Sequence, residues 1–302
     1  VGLWLTLRGV SAPRLLRVLS ITDVRAVAAL SLPLLLAGSL LRTARFGALL
    51  GKSEPRPRFV DLWSGIILGG AANNVLPLRA GELVRTRETV AAGVPLPRAA
   101  VAQVSEKVVE GVVIVAWSAP ALAARIGSGA SAAALITGAL VGVPVAAWCL
   151  RGHPTGTRRL ATCLAWCVAA DAVEIAIISV CLAGLGLPGG LLPSVTVFAA
   201  VNVAIAVPST PANLGAFEAG SALPLIALGV APDAAVGFAV VYRVVQWLPV
   251  TLAGALLWAR RMTLAPGGRI GAGGPGARVA GGCWRCRVPC TSRAAPDRPR
   301  SS

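Results

Sequence analysis

Ionised side chains stand inside apolar stretches long enough to cross a bilayer. Glu106, Lys107 and Glu110 lie between Ala99 and Pro120, and Arg243 lies between Ala234 and Trp258. A charge at the centre of a membrane helix costs roughly 2.5 to 3.5 kcal/mol on insertion scales, so such residues face the bundle interior, pair, and touch whatever the protein handles. Composition agrees with a membrane fold: 56% of the 302 residues are hydrophobic, mean hydropathy is +0.75, and only 13% are charged. A soluble domain is about a quarter charged. At about 20 residues per span, the length predicts an all-α polytopic membrane protein of about six to eight transmembrane or re-entrant helices.

The chain divides into a basic N-terminal segment (1–23), a membrane domain (24–261) and a Gly/Pro/Arg-rich tail (262–302) whose composition predicts disorder. Within the domain, apolar runs occupy residues 26–41, 62–78, 99–120, 130–150, 160–185, 191–207, 216–230 and 234–258. The first run is slightly short for a perpendicular span. Arg56 and Arg58 precede the second run and Arg79, Arg85 and Arg87 follow it. Basic flanks on both sides predict a re-entrant hairpin that enters and leaves on the cytoplasmic face. Arg260 and Arg261 end the last run as a cytoplasmic stop, so the expectation is a multi-pass protein of a bacterial-type cell (inner) membrane with a cytoplasmic tail. The first 20 residues lack a continuous apolar core, and no cleavable signal peptide is expected.

The net charge of +16 comes mostly from arginines in loops and tail. It suits anionic lipid headgroups as partners rather than nucleic acid. Cys149, Cys163, Cys167 and Cys181 fall inside apolar runs, where cysteine serves as a small buried hydrophobe.

An internal repeat is visible at a constant offset of 136 residues. Glu82 matches Glu218, Gly93-Val94 matches Gly229-Val230, and Lys107-Val108-Val109-Glu110 falls on Arg243-Val244-Val245-Gln246. Transporters commonly build a midplane site from two such halves, using interrupted helices. Whether these halves are parallel or inverted turns on whether residues 62–78 and 216–230 cross fully.

Two segments carry polar chemistry at the ends of apolar stretches. Residues 73–85 read NNVLPLRAGELVR and bring together Asn73, Asn74, Arg79, Glu82 and Arg85. Read as an unwound element, they coordinate a polar headgroup; read plainly, they are a loop with a capped helix start. Residues 207–218, VPSTPANLGAFE, repeat the plan and end in Glu218. Helical spacing sets Glu106 and Glu110 on one face, with Lys107 about 100 degrees away, and Arg243 on the related helix is the expected counter-ion. Asp171 and Glu174 form a further carboxylate pair that suggests a proton or cation path.

Enzyme patterns fit poorly. GALLGKS at residues 47–53 resembles a phosphate-binding loop, but its first glycine is one residue too close and Pro55 and Pro57 oppose the helix that should follow. His153 is the single histidine and sits in a basic loop, unsuited to triad catalysis. Cys283, Cys286 and Cys290 supply only three ligands in a tail read as disordered, so neither a metal nor another cofactor is expected.

Taken together, RTARFGALL (42–50), NNVLPLRAGELVR, SEKVVEG (105–111), VPSTPANLGAFEAG and VVYRVVQWLPVTLAG (240–254) resemble the flippase-like family named for the membrane region of lysylphosphatidylglycerol synthase, across about residues 24 to 259. The resemblance implies an all-helical membrane domain that handles lipids. It departs mildly: Glu106-Lys107 replaces the usual Glu-Arg, Glu110 stands where Asp is common, and Ala212-Asn213 replaces a Gly pair. No aminoacyl-transfer domain follows Arg261, so lysine transfer is not expected.

The expected function is translocation of a polar-headgroup lipid, phospholipid or lipid-linked, between leaflets, driven downhill or by an ion. The expected substrate-binding residues are Asn73, Asn74, Arg79, Glu82, Arg85, Glu106, Lys107, Glu110, Glu218 and Arg243. The alternative is a membrane-embedded transferase, or its accessory, acting on a lipid-linked sugar or phospholipid headgroup.

Overall fold

A computed structural model describes residues 12–51, 56–76, 80–126, 157–206 and 213–264. Contacts divide the chain into one unit of Val1–Thr263 and a second of Leu264–Ser302. The run at 130–150, His153, Arg79, residues 207–212 and the tail cysteines lie outside the described residues.

The described residues form nine α-helices and no strand. They are α1 (Ala12–Ile21), α2 (Val24–Leu50), α3 (Phe59–Val75), α4 (Gly81–Ala91), α5 (Leu96–Ile126), α6 (Thr157–Gly184), α7 (Leu191–Ala206), α8 (Ala216–Ala227) and α9 (Pro232–Leu264). Among the described residues α2, α6 and α9 are long and apolar enough to cross a membrane. The fold is thus the expected all-α polytopic one. The first span is longer than its apolar run: α2 is capped by Asp23, whose carboxylate accepts from Ala26 N at 3.0 Å, and continues through Arg42 and Arg45 to Leu50. Those two arginines turn inward, so they do not end the helix.

The repeat has a structural counterpart. Helices α2 to α5 recur in order as α6 to α9, each set a long helix, two short ones and another long one. Helices α4 and α8 end alike. Gly93 and Gly229 take φ of 96° and 90°. Gly93 N donates to Val90 O at 2.9 Å and Val94 N to Thr89 O at 3.3 Å; Gly229 N donates to Ile226 O at 2.9 Å and Val230 N to Leu225 O at 3.0 Å. This is the Schellman closure, which needs a left-handed residue after the last turn.

The halves are inverted. Along α2 and α6, Asp23 N donates to Gly184 O, Gly38 faces Val173, and Arg45 meets Cys167. Residue numbers rise on one helix as they fall on the other, so these equivalent helices are antiparallel. A two-fold axis perpendicular to them therefore relates the halves and passes near Gly38 and Val173. Each half has its own apolar core, and the two exchange pieces. Cys163 and Cys167 of α6 pack with Phe46, Leu62, Ala99 and Val109 of the first half, while Val27 of α2 packs with Ile178, Phe198, Leu225 and Phe238 of the second. The three described cysteines are buried and unbridged, matching their reading as small hydrophobes.

Helices α3 and α4 pack as a hairpin. At about 1.5 Å per residue, the 11 residues of α4 are too short to cross a bilayer. Gly69 lets the helices close: a Cβ there would stand 2.9 Å from Gly81 O and 3.0 Å from Arg85 Cβ. Small residues serve this role where helices meet in a membrane. Asn73 Oδ1 accepts from Gly81 N at 2.8 Å and satisfies the first turn of α4. A Cβ on Gly81 would sit 2.5 Å from that same oxygen. Gly81→Ala is therefore expected to destabilise the protein by about 1–3 kcal/mol in thermal unfolding in detergent, whereas Gly189→Ala, with open space around the new methyl, leaves the midpoint unchanged.

Candidate functional site

The two halves enclose an open cleft of about 570 Å³. It is lined by charge from both: Arg42 and Arg45 of α2, Glu82 and Arg85 of α4, Glu106, Lys107 and Glu110 of α5, Asp171 and Glu174 of α6, and Arg243 of α9.

At its floor is a three-member cluster. Glu106, 1% exposed, accepts through Oε1 from Arg45 Nε at 3.1 Å and Arg45 Nη2 at 2.7 Å. Its Oε2 stands 2.7 Å from Arg85 Nη2. Arg45 is 2% exposed and also donates to Cys167 Sγ at 3.1 Å, while Arg85 lies over the Phe46 ring, 4.1 Å from its centroid. Such a cation over an aromatic face gains electrostatic attraction as it loses water. The cluster extends outward from Arg45 to Glu110 (3.5 Å), from Glu110 to Lys107 (3.1 Å) and from Lys107 to Glu82 (3.5 Å). Gln103 Nε2 donates to the backbone and the carboxylate of Glu82, and Thr86 Oγ1 meets Gln103 Oε1.

Among the described residues the second half answers at the cleft with the pair of Arg243 and Glu218. Arg243 binds Glu218 and lies over the Phe217 ring, 4.7 Å from its centroid, and Arg243 Nη2 donates to Asn213 O at 3.4 Å. Glu218 Oε2 in turn accepts from Gly215 N at 2.6 Å at the start of α8. Glu82 with Lys107 and Glu218 with Arg243 are the same pair in the two halves, separated by the sequence offset of 136. A third ion pair joins the halves directly: Arg42 of α2 binds Glu174 of α6, whose Oε1 also accepts from Tyr242 Oη at 3.3 Å.

Most of the expected residues converge. Asn73, Asn74, Glu82, Arg85, Glu106, Lys107, Glu110 and Arg243 line the cleft; Glu218 is absent from the lining and holds Arg243 from behind. One assignment changes. Arg243 is not the counter-ion of Glu106 and Glu110, because Arg45, Arg85 and Lys107 take those carboxylates and Glu218 takes Arg243. Asn73 and Asn74 also hold the fold together beside the cleft. Asn73 caps α4, and Asn74 Nδ2 donates to Thr251 Oγ1 at 2.9 Å and Trp247 O at 3.3 Å, stitching α3 to α9. Apolar patterning alone does not mark Arg42, Arg45 and Gln103. The available signal was the helical spacing of Arg42, Arg45 and Leu49 beyond the first apolar run. Among the described residues no group of three or more His, Cys, Asp or Glu could hold a metal.

Removing one partner of a buried ion cluster leaves an uncompensated charge, at a cost of about 3–5 kcal/mol. Arg45→Met is expected to lower stability by that order in denaturant unfolding. Arg45→Lys is expected to recover only part of it, since a lysine cannot donate from two nitrogens to one carboxylate oxygen.

No curated protein sequence matches the chain. The family model described as the lysylphosphatidylglycerol synthase TM region matches residues 1–155 and 151–254, starting further upstream than the motifs alone indicated. The chain is therefore a multi-pass membrane protein belonging to the lysylphosphatidylglycerol synthase transmembrane-region family.

Proposed function

We propose that the protein moves a lipid with a phosphate-bearing headgroup between leaflets, the headgroup passing through the cleft while the acyl chains stay in lipid. The observation that carries this reading is the set of arginines held at the cleft by both inverted halves. Arg85 and Arg45 converge on the single carboxylate Glu106, and among the described residues the buried Arg85 Nε has no hydrogen-bond acceptor. A guanidinium with a donor to spare suits phosphate oxygens, which it can meet in planar, paired geometry.

The barrier to headgroup crossing is the loss of its water. Side chains already fixed by partners replace that water without reorganising. Arg243 and Lys107 occupy equivalent places in the two halves, so a phosphate leaving one meets the other, and each cation is kept from binding too tightly by its own glutamate. Lys107 is about half exposed and suits first contact. Inverted repeats around a midplane site are the architecture in which one half rocks against the other to alternate access.

The test is leaflet exchange of phosphatidylglycerol bearing a fluorescent acyl chain in phosphatidylcholine proteoliposomes, followed by dithionite quenching. Arg243→Ala is expected to slow exchange at least about tenfold, the loss of one charge-assisted contact of about 1.4 kcal/mol or more. Exchange at the wild-type rate in that variant refutes the reading.

A further inference from the structure

The ion pairs at the cleft balance. Arg42, Arg45, Arg85, Lys107 and Arg243 are matched by Glu82, Glu106, Glu110, Glu174 and Glu218. One carboxylate is left over. Asp171 lines the same cleft, is 4% exposed and, among the described residues, joins no ion pair and leaves its buried Oδ2 without a hydrogen-bond partner.

Its surroundings explain why it stands alone. On its own helix Glu174 is committed to Arg42 and Tyr242, and Cys167 receives Arg45 Nη1. From α2 it faces Arg42 and Arg45, both taken by other carboxylates. From α5 it faces Glu110, a like charge. Helix α7 has no titratable residue and contributes Asn202 to the lining, while α9 contributes Tyr242, directed at Glu174. An ionised Asp171 would give the cleft one net negative charge opposed by neighbouring carboxylates, whereas a protonated one leaves it neutral. A metal cation is a poor substitute for the proton, because the charged groups acting on Asp171 include two guanidinium ions, Arg42 and Arg45.

We propose that Asp171 is a proton-binding site coupled to the headgroup: an anionic headgroup enters the cleft together with one proton on Asp171. This rests on the lipid-translocation reading above and deepens it, since it names the ion that drives or accompanies movement. A phosphate arriving at the cleft is repelled by an ionised Asp171 and not by a protonated one. Headgroup binding and proton binding therefore strengthen each other, and by linkage the effect is reciprocal.

The experiment uses the full chain in detergent, with acyl-labelled phosphatidylglycerol as probe and anisotropy as readout between about pH 5 and 9. For wild type, affinity is expected to fall as pH rises, approaching tenfold per pH unit above the titration of one carboxyl, with about one proton taken up per lipid bound in weakly buffered solution. Asp171→Asn is expected to bind with no pH dependence and as tightly at the alkaline end as wild type does at the acid end. That is a gain, which misfolding does not produce. Asp171→Glu is expected to restore the slope. Wild-type affinity that is flat across the range, a wild-type slope retained in Asp171→Asn, or a slope that follows sodium in place of protons overturns the proposal. In proteoliposomes, lipid exchange without proton movement overturns the coupling and leaves translocation standing. If wild type neither binds the probe at any pH nor moves it, both readings fall together.

Discussion

Two guanidinium groups held on one buried carboxylate set the terms for the rest of this fold. Arg45, Glu106 and Arg85 come from three different helices, and each would be prohibitively costly to leave unpaired in hydrocarbon. Their pairing draws α2, α4 and α5 together at one depth. It requires α4 to stop short within the membrane domain so that Arg85 can arrive, and that requirement explains the tight hairpin at Gly69 and Gly81 and the capping amide of Asn73. Apolar packing around Phe46 and Val109 then seals the cluster on the side away from the cleft.

The second half solves the same problem with fewer charges. Where the first half has a chain running from Arg45 to Glu82, the second has Arg243 with Glu218, and Gln246 stands in the position equivalent to Glu110. The position equivalent to Arg85 is Ser221, fully buried and bonded to its own helix at Phe217 O. The cleft is therefore symmetric in backbone plan and asymmetric in charge. Among the described residues its dense, partly buried cluster lies on the first half, and the second half contributes the one cation Arg243 to the lining. A cleft that offers unequal footholds suits a ligand that must be released as well as bound.

Much of this was legible in the chain because ionised residues in apolar runs have few places to go. Lys107 with Arg243 and Glu82 with Glu218 mark both the repeat and the charged groups gathered at or beside the cleft. The counter-ions were not legible, for a reason that is geometric. An apolar run is read as ending at its first arginine, so Arg42 and Arg45 looked like loop residues, although α2 carries them on its inner face to Leu50. The direction of the second half was also hidden, since sequence identity at a fixed offset is the same for parallel and inverted copies. Only the pairing of Gly38 with Val173 and of Arg45 with Cys167 decides it. The structural roles of the amides are likewise invisible in the chain: Asn73 satisfies a helix start and Asn74 binds a neighbouring helix, while both line the cleft.

The traded segments of α2 and α6 have a further consequence. Each half lends the opening turns of its leading helix to fill the other's interior, Val27 in one direction and Cys163 with Cys167 in the other. A lone half would thus be left with a hole in its middle and a greasy finger protruding from its side. The smallest object that closes is a head-to-tail couple, so the two copies behave as one cooperative body from the moment both are made. Any relative motion between them must slide along that interlock, without prising it open.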